Sequence, residues 1–429
     1  MQAAGADMTA IIIAPDRDRR QRIMAEAAVH FLRDGFERTS IDRIAAGARV
    51  SKQTIYEHFR SKEELFDRVV RAELRDMPAE GLVAGGDVQA ALDRFALGVA
   101  AAFAEPRNHG LFRASMVVTR RFTVLANALH DYRRGTSRAL ADYLDRLLAE
   151  GRLAPFEGTA LDLATRIGGM AVEGSRYFLG EPLPAAAVGA AQARLAVAIF
   201  LHGFRAAADL DQGDDVAPAA LVPALAPGSA QMRLSAERFA GLCAAAVAEF
   251  VASGFEGASI DRIIAAAGVG RSTIYRQFGN KDGLFRYVIG REIAAIIADE
   301  VAAPAGPDIE SRLAMLARIA LERHLEPASI GLHHLLVQEA KAFPDLARAF
   351  YAAQVARVGR PFAALLVQEG APSPSPAVVR AFHTLATFGV RYFATVRSVS
   401  EDERAMASRQ AARIIHRGLG VENPIDTAV

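Results

Sequence analysis

Apolar residues recur at helical spacing along almost the whole chain, and no stretch keeps the strict alternation of a half-buried strand. The pattern predicts an all-α protein. A first helix is predicted from about Arg17 to Arg33, with Ile23, Ala27 and Leu32 turned inward. Gly35 supplies the left-handed residue that ends it, and Phe36 packs back on its last turn. Ser40 can cap a short second helix, IDRIAAGA, in which Ile41, Ile44 and Ala45 share one apolar face. After a break near Arg49, Ser51 opens a third helix, KQTIYEHF. Val50, Ile55 and Phe59 point inward there, while Lys52, Gln53, Thr54, Tyr56 and His58 stay outside. Two short helices joined by a tight turn, the second polar on its outer face, form a helix-turn-helix.

The same pattern returns. Gly35 to Phe66 reads GFERTSIDRIAAGARVSKQTIYEHFRSKEELF, and Gly254 to Phe285 reads GFEGASIDRIIAAAGVGRSTIYRQFGNKDGLF. They align without a gap and share roughly half their positions, so a whole unit has been duplicated. Farther on the match loosens: Phe122 and Leu125 resemble Phe343 and Leu346, and Arg176-Tyr177-Phe178 echoes Arg391-Tyr392-Phe393. Between the copies the Pro, Ala, Gly and Asp content from Asp209 to Ala230 defeats amphipathic periodicity and predicts a linker. The expected division is a helix-turn-helix domain at 17–70, a helical domain at 71–208 and a linker at 209–231. A second helix-turn-helix domain at 232–289 and a second helical domain at 290–420 follow. Residues 1–16 and 421–429 read as loose tails.

Composition adds limits. The 429 residues are 52% hydrophobic and 23% charged, ample for two cores, and the formal net charge is only +1. A nucleic-acid face must therefore be local. From Arg17 to Arg71 there are 13 basic and 9 acidic residues, and from Arg233 to Arg291 there are 8 and 5. The single cysteine, Cys243, excludes an intrachain disulfide and a cysteine zinc site. Asp7 interrupts any signal-peptide pattern, and no window approaches ~18 uninterrupted apolar residues, so a cytoplasmic protein without a membrane partner is expected.

T-I-Y-x-x-F-x-x-K-x-x-L-F following S-I-D-R-I, present twice, resembles the N-terminal domain of the TetR/AcrR family of transcriptional regulators. The likeness is specific over about 50 residues of each copy, and QEAKAFPDLARAFY, from Gln338 to Tyr351, also resembles the family's sensor domain. The resemblance implies a double-stranded DNA operator as partner. Tyr56 and Tyr275 extend a phenol suited to a phosphate oxygen or a thymine methyl. Thr54 and Thr273 can bond a phosphate or a base edge, and Lys52 and Arg271 can reach guanine or the backbone. Gln53, His58, Ser272 and Gln277 are further candidates. Arg276 faces outward where the first copy has Glu57, a charge reversal. Lys62 and Lys281 sit in the first turn of a fourth helix, opened by the capping box Ser61 to Glu64 and by Asn280, where an ammonium can seat a phosphate. Ser40 and Ser259 belong to the same surface. Arg43 and Arg262 are divided between a local ion pair with Asp42 and Asp261 and a contact to the DNA backbone.

The resemblance further implies an apolar effector pocket in each helical domain and a dimer surface built from its last two helices. Here those are about 159–179 with 188–206, and 376–396 with 401–418. No nucleophile elbow, Walker, Rossmann or metal-ligand spacing is present, so neither an enzyme nor a cofactor is expected. His333 and His334, with His324 and Glu339 nearby, suggest a metal only weakly, because adjacent histidines point to different helix faces. Cys243 aligns with Met24 on the inner face of the first helix, a core position. Two readings stand: a ligand-responsive repressor, or a constitutive or architectural DNA-binding protein without a working pocket. The two halves can pair within one chain as a pseudo-dimer, or each with its twin on another chain as a homodimer.

Overall fold

The computed structural model describes residues 8–76, 87–117, 123–207, 234–387 and 398–420. The expected linker, most of both tails, Phe122 and the Arg391–Phe393 echo lie outside them. Among the described residues the secondary structure is helical. The first repeat contains α1 (Met8–Asp34), α2 (Ile41–Ala48), α3 (Lys52–His58), α4 (Lys62–Asp76), α5 (Val88–Ala104), α6 (Pro106–Val117) and α7 (Thr123–Thr136). It continues through α8 (Arg138–Ala149), α9 (Ala160–Ala171) and α10 (Ala186–His202). The second contains α11 (Ala236–Gly257), α12 (Ile260–Ala267), α13 (Arg271–Phe278), α14 (Lys281–Ala298) and α15 (Ile309–Leu325). After these come α16 (Pro327–Glu339), α17 (Pro344–Gln368), α18 (Pro376–Thr387) and α19 (Glu401–Arg417). Helix α1 begins well ahead of the expected Arg17 and runs through Pro15.

The described chain falls into two compact units. The first joins residues up to 80 with 105–136, and the second joins 81–104 with 137–429. In the first unit α1 packs on α2, α4 and α6. Its core holds Ile23, Phe31, Phe36, Ile44, Ile55, Phe59, Phe66 and Val69. Gly35 has φ of +81°, and the turn it makes returns Phe36 to Phe31 at 6.0 Å and to Phe66 at 5.2 Å between ring centres. The second repeat rebuilds this trio: Gly254 has φ of +68°, and Phe255 lies 6.3 Å from Phe250 and 5.2 Å from Phe285. Aromatic geometry has thus been kept along with sequence.

Helix α6 carries His109, where burial first and the Arg113 charge second push the imidazole down to about 4. The folded ring stays neutral through a range in which an unfolded histidine, near 6.5, takes up a proton. Stability is therefore complete above about pH 6.5 and is lost as pH falls toward 4, by an amount on the order of 3 kcal/mol. Denaturant melts of the wild type and His109→Gln between pH 7.5 and 4.5 measure this. A wild-type pH slope equal to that of the variant would remove the histidine from the account.

In the second unit α5 packs on α9 and α10, α15 on α17, α18 and α19, and α14 on α11 and α17. One core runs through both repeats, from Leu163, Ile167 and Phe200 to Leu313, Phe362, Phe382 and Ile415. Here α9 meets α18 and α10 meets α19. Helix α11 is long and apolar enough to cross a membrane by composition, yet it opens on Glu237 and Arg238 and packs on α12, α14 and α16. Cys243 on α11 is buried, and burial raises its thiol. A cavity of about 380 Å³ in the first repeat is lined by Arg138, Asp142 and Asp145 together with Leu148, Phe156 and Leu161.

Candidate nucleic-acid interface

Each helix-turn-helix is set by its caps. Ser40 Oγ accepts from Asp42 N at 3.2 Å, and Ser259 Oγ accepts from Arg262 N at 3.4 Å, so both serines start the second helix of their repeat. That helix ends on a left-handed residue, Arg49 (φ +55°) in one copy and Gly268 (φ +62°) in the other. The next helix starts differently. Ser51 Oγ accepts from Thr54 N at 3.0 Å and lies 2.9 Å from Thr54 Oγ1. Gly270 offers no side-chain cap, and Thr273 N donates to the Gly270 carbonyl instead.

The outward faces of α3 and α13 gather most of the expected residues. Lys52, Gln53, Tyr56 and Glu57 are exposed on α3, and Arg271, Ser272, Tyr275 and Arg276 on α13. Tyr56 and Tyr275 stand out at 44% and 46% exposure, large rings left in water on otherwise packed helices. Thr54, Thr273 and His58 are half-buried. Ile55 and Ile274 anchor the inner faces. Phe59 is buried and Phe278 only half-buried, its ring 5.2 Å from Tyr287.

Gln277 departs from the expectation. Only 5% exposed, its side chain points inward, and both its amide atoms are buried without a hydrogen-bond partner. It lies three residues after Ile274, and three residues on a helix returns to the same face. A surface contact by this glutamine is therefore not supplied by the fold.

The cations at the start of each recognition helix are already paired. Lys52 Nζ lies 3.1 Å from Asp42 Oδ1, and Arg271 pairs with Asp261 in the same way. Arg271 is held above the ordinary guanidinium range, chiefly by its hydrogen bond to Asp261. Both pairs are well exposed, so they orient the cation across the turn at little energy and leave it able to exchange partners. Arg262 is tied to Glu249, with Nε donating at 2.9 Å, and to the Gly257 carbonyl at 2.7 Å. Arg43 donates weakly to the Arg38 carbonyl at 3.4 Å. Arg262 is thus paired with an acid other than its neighbour Asp261. Gln53 donates to Glu57 at 3.2 Å, a contact that Arg276 removes from the second copy.

Lys62 and Lys281 lie under the turn that follows the first helix of their repeats. Lys62 Nζ donates to the Glu37 carbonyl at 3.2 Å and sits 4.5 Å from the Phe36 ring. Lys281 Nζ donates to the Glu256 and Ala258 carbonyls at 3.2 and 3.1 Å, 4.8 Å from the Phe255 ring. The shared lysine therefore has a structural use that its position in a first helical turn did not reveal. Behind it, Ser61 Oγ accepts from Glu64 N at 3.1 Å, while Glu64 accepts from Arg60 N instead of closing back on Ser61. Asn280 Oδ1 accepts from Gly283 N at 2.8 Å. Lys281→Ala is expected to lower stability by about 1–2 kcal/mol, the worth of two hydrogen bonds and a cation–ring contact. Thermal melts without DNA read this, and an unchanged melt would leave phosphate seating as the lysine's whole role.

Missed by sequence reasoning was the junction behind the second reader. Glu339, fully buried, accepts from Phe255 N at 3.2 Å. Arg286 reaches Asp345 at 2.7 Å and stacks 4.9 Å from Phe343, whose ring lies 4.9 Å from Phe255. The segment around Glu339 and Phe343 was visible as a family-like stretch, but its acceptor and its ring partners were not. Among the described residues no group of three or more His, Cys, Asp or Glu side chains could hold a metal.

The family model described as bacterial regulatory proteins, tetR family, matches residues 23–69 and again residues 242–288. The chain is 40% identical over 60 residues to the uncharacterized HTH-type transcriptional regulator YhgD of Bacillus subtilis, covering 14% of this chain and 31% of that protein. It is 37% identical over 75 residues to the HTH-type transcriptional repressor SCO4008 of Streptomyces coelicolor, covering 18% and 39%. The chain thus spans about a third of the length of the curated relatives it matches. A solved TetR family transcriptional regulator from Pseudomonas syringae pv. tomato is similar over 42% of this chain and 92% of its own, at 23% identity and a TM-score of 0.32.

Proposed function

Because this chain belongs to the TetR family through two copies of its DNA-binding domain, we propose that it is a ligand-responsive repressor whose two halves act as a pseudo-dimer on one operator. It is read as a regulator and not an enzyme, working in the cytoplasm on the nucleoid, with the five-part division at 17–70, 71–208, 209–231, 232–289 and 290–420. The observation that carries the reading is the pair of matched outward faces, Tyr56 with Lys52 on α3 and Tyr275 with Arg271 and Arg276 on α13. Ser40, Arg43, Gln53, Thr54, His58 and Lys62 join the first face in this proposal, and Ser259, Arg262, Ser272, Thr273 and Lys281 join the second. Members of single length present two such helices by pairing two chains, and duplication supplies both in cis at a high effective concentration.

Pairing within the chain is supported by reciprocal contacts at the ends of α10 and α19. Gly203 (φ +76°) comes so close to the His416 and Arg417 backbone that a Cβ would collide, and Gly418 (φ +68°) does the same to Leu201 and His202. Such mutual contact is the mark of a two-fold pairing surface. Ligand response is supported by two features of the second half. Polar groups are buried inside it, with His383 Nε2 3.2 Å from His324 Nε2. The Glu339 and Phe343 junction joins that interior to the reader, so a displacement of α16 or α17 would be felt at Phe255.

Light scattering with a footprint tests the pairing. A particle of one-chain mass protecting two major grooves is the expected result. A stable two-chain particle protecting four would end this reading in favour of a homodimer.

A further inference from the structure

We propose that the surface joining the two halves is built to accept only the opposite half, with Glu173, Arg380, Arg166 and Gln410 as the residues that reject a twin. The inference rests on the in-cis pairing above and goes beyond it: tethering alone would let identical halves pair just as well once the tether is cut.

The central contact is a buried carboxylate divided between the two repeats. Glu173 Oε2 accepts from Arg176 of its own repeat at 2.6 Å, and Glu173 Oε1 accepts from Arg380 of the other at 3.3 Å. Both Glu173 and Arg380 side chains are 8% exposed. Glu173 holds φ of +48°, a left-handed conformation that a non-glycine residue adopts at a cost. A second contact lies beside it. Arg166 on α9 donates from Nε to Gln410 Oε1 at 2.8 Å and from Nη1 to the Leu385 carbonyl at 2.7 Å, and enclosure lowers its guanidinium to about 10.

The repeat register shows what a twin would offer. Arg176-Tyr177-Phe178 matches Arg391-Tyr392-Phe393, and Gly203 matches Gly418, so positions in these regions correspond at a constant spacing of 215. In that register Glu173 corresponds to Phe388, Arg380 to Thr165, Arg166 to Ala381 and Gln410 to Leu195. A first half pairing with a first half would set Glu173 against Thr165, and Arg166 against Leu195. A second half pairing with a second half would deny Arg380 the Glu173 carboxylate, and would set Gln410 against Ala381. Each mismatch takes from a charged or amide group the side-chain partner it has across the interface, and a two-fold axis makes every mismatch occur twice. Removing one partner of a buried ion pair weakens an interface by roughly a hundredfold or more, and like surfaces are rejected by such unpaired groups rather than by loss of apolar area.

The test keeps the whole chain and removes only the tether. A specific protease site is inserted between residues 209 and 231, and the protein is purified intact, weighed, cut, and mixed with an isotopically heavy copy cut likewise. Native mass spectrometry then reads the pairs. The expected result is that every pair contains one first half and one second half, with light and heavy partners exchanging. Pairs of two first halves or two second halves in statistical proportion would overturn the proposal, as would separation into single halves, while an intact particle of one-chain mass still supports in-cis pairing. An intact particle of two chains that yields only like pairs would overturn that pairing itself. As a second arm, Glu173→Phe with Arg380→Thr gives each half the other's residue at these positions, and like pairs should then rise from undetectable to a sizeable share. Exclusive unlike pairing in this variant would show that Glu173 and Arg380 are not the discriminators.

Discussion

Arg380→Ala is expected to destabilise the second unit by about 3–5 kcal/mol, the usual result of removing one partner from a buried ion pair. The loss arises chiefly from the carboxylate left behind. Glu173 is almost wholly enclosed, and although Arg176 still serves one oxygen, the other loses its donor. Lys52→Ala is the matched control, since its pair with Asp42 is exposed on both sides and is worth less than about 1 kcal/mol. Denaturant midpoints of the two single variants and of Glu173→Gln with Arg380→Ala give the comparison. If Arg380→Ala costs no more than Lys52→Ala, the joint between α9 and α18 does not depend on this pair. A double variant much less damaged than the arginine deletion alone would show that the stranded charge is what costs.

The charge reversal between the readers should have the next largest effect. Arg276→Glu changes the charge on the exposed face of α13 by two units, from one positive to one negative, where the first copy carries Glu57. A fall in operator affinity of about 1–3 kcal/mol, roughly fivefold to more than a hundredfold, is expected, with the salt slope smaller by roughly one. Glu57→Arg should act in the opposite direction and free Gln53 from its contact with residue 57. Selection from random DNA with each variant adds a second readout, because KQTIYEH and RSTIYRQ differ at most outward positions and should prefer different half-sites. Arg276→Glu with unchanged affinity and salt slope would mean that α13 does not lie against DNA.

Much of this protein follows from the sequence alone because its information is local. Helical periodicity gave α2, α3, α12 and α13. Gly35 and Gly254 fixed the turns that bring Phe36 and Phe255 home, since only a residue free of a Cβ takes those backbone angles at no cost. Ser40 and Ser259 cap the helices that they precede, a relation spanning two or three residues. The gapless duplication carried both readers and the family with it.

Tertiary structure decided whatever depends on residues far apart in the chain. Gln277 reads as a surface position from its polarity, yet the rotation of α13 on its neighbours turns it inward with Ile274. Lys62 and Lys281 look like free cations in a first turn, but carbonyls 25 residues earlier accept from them. Arg262 finds Glu249 on the preceding helix rather than its neighbour Asp261. The first reader forms a unit with α6 and α7, while α5 joins the second unit. The Glu173–Arg380 contact spans 207 residues. Periodicity specifies which face of a helix is apolar, but not which other helix will cover it, and a buried polar side chain acquires its meaning only from the partner that the packing brings to it.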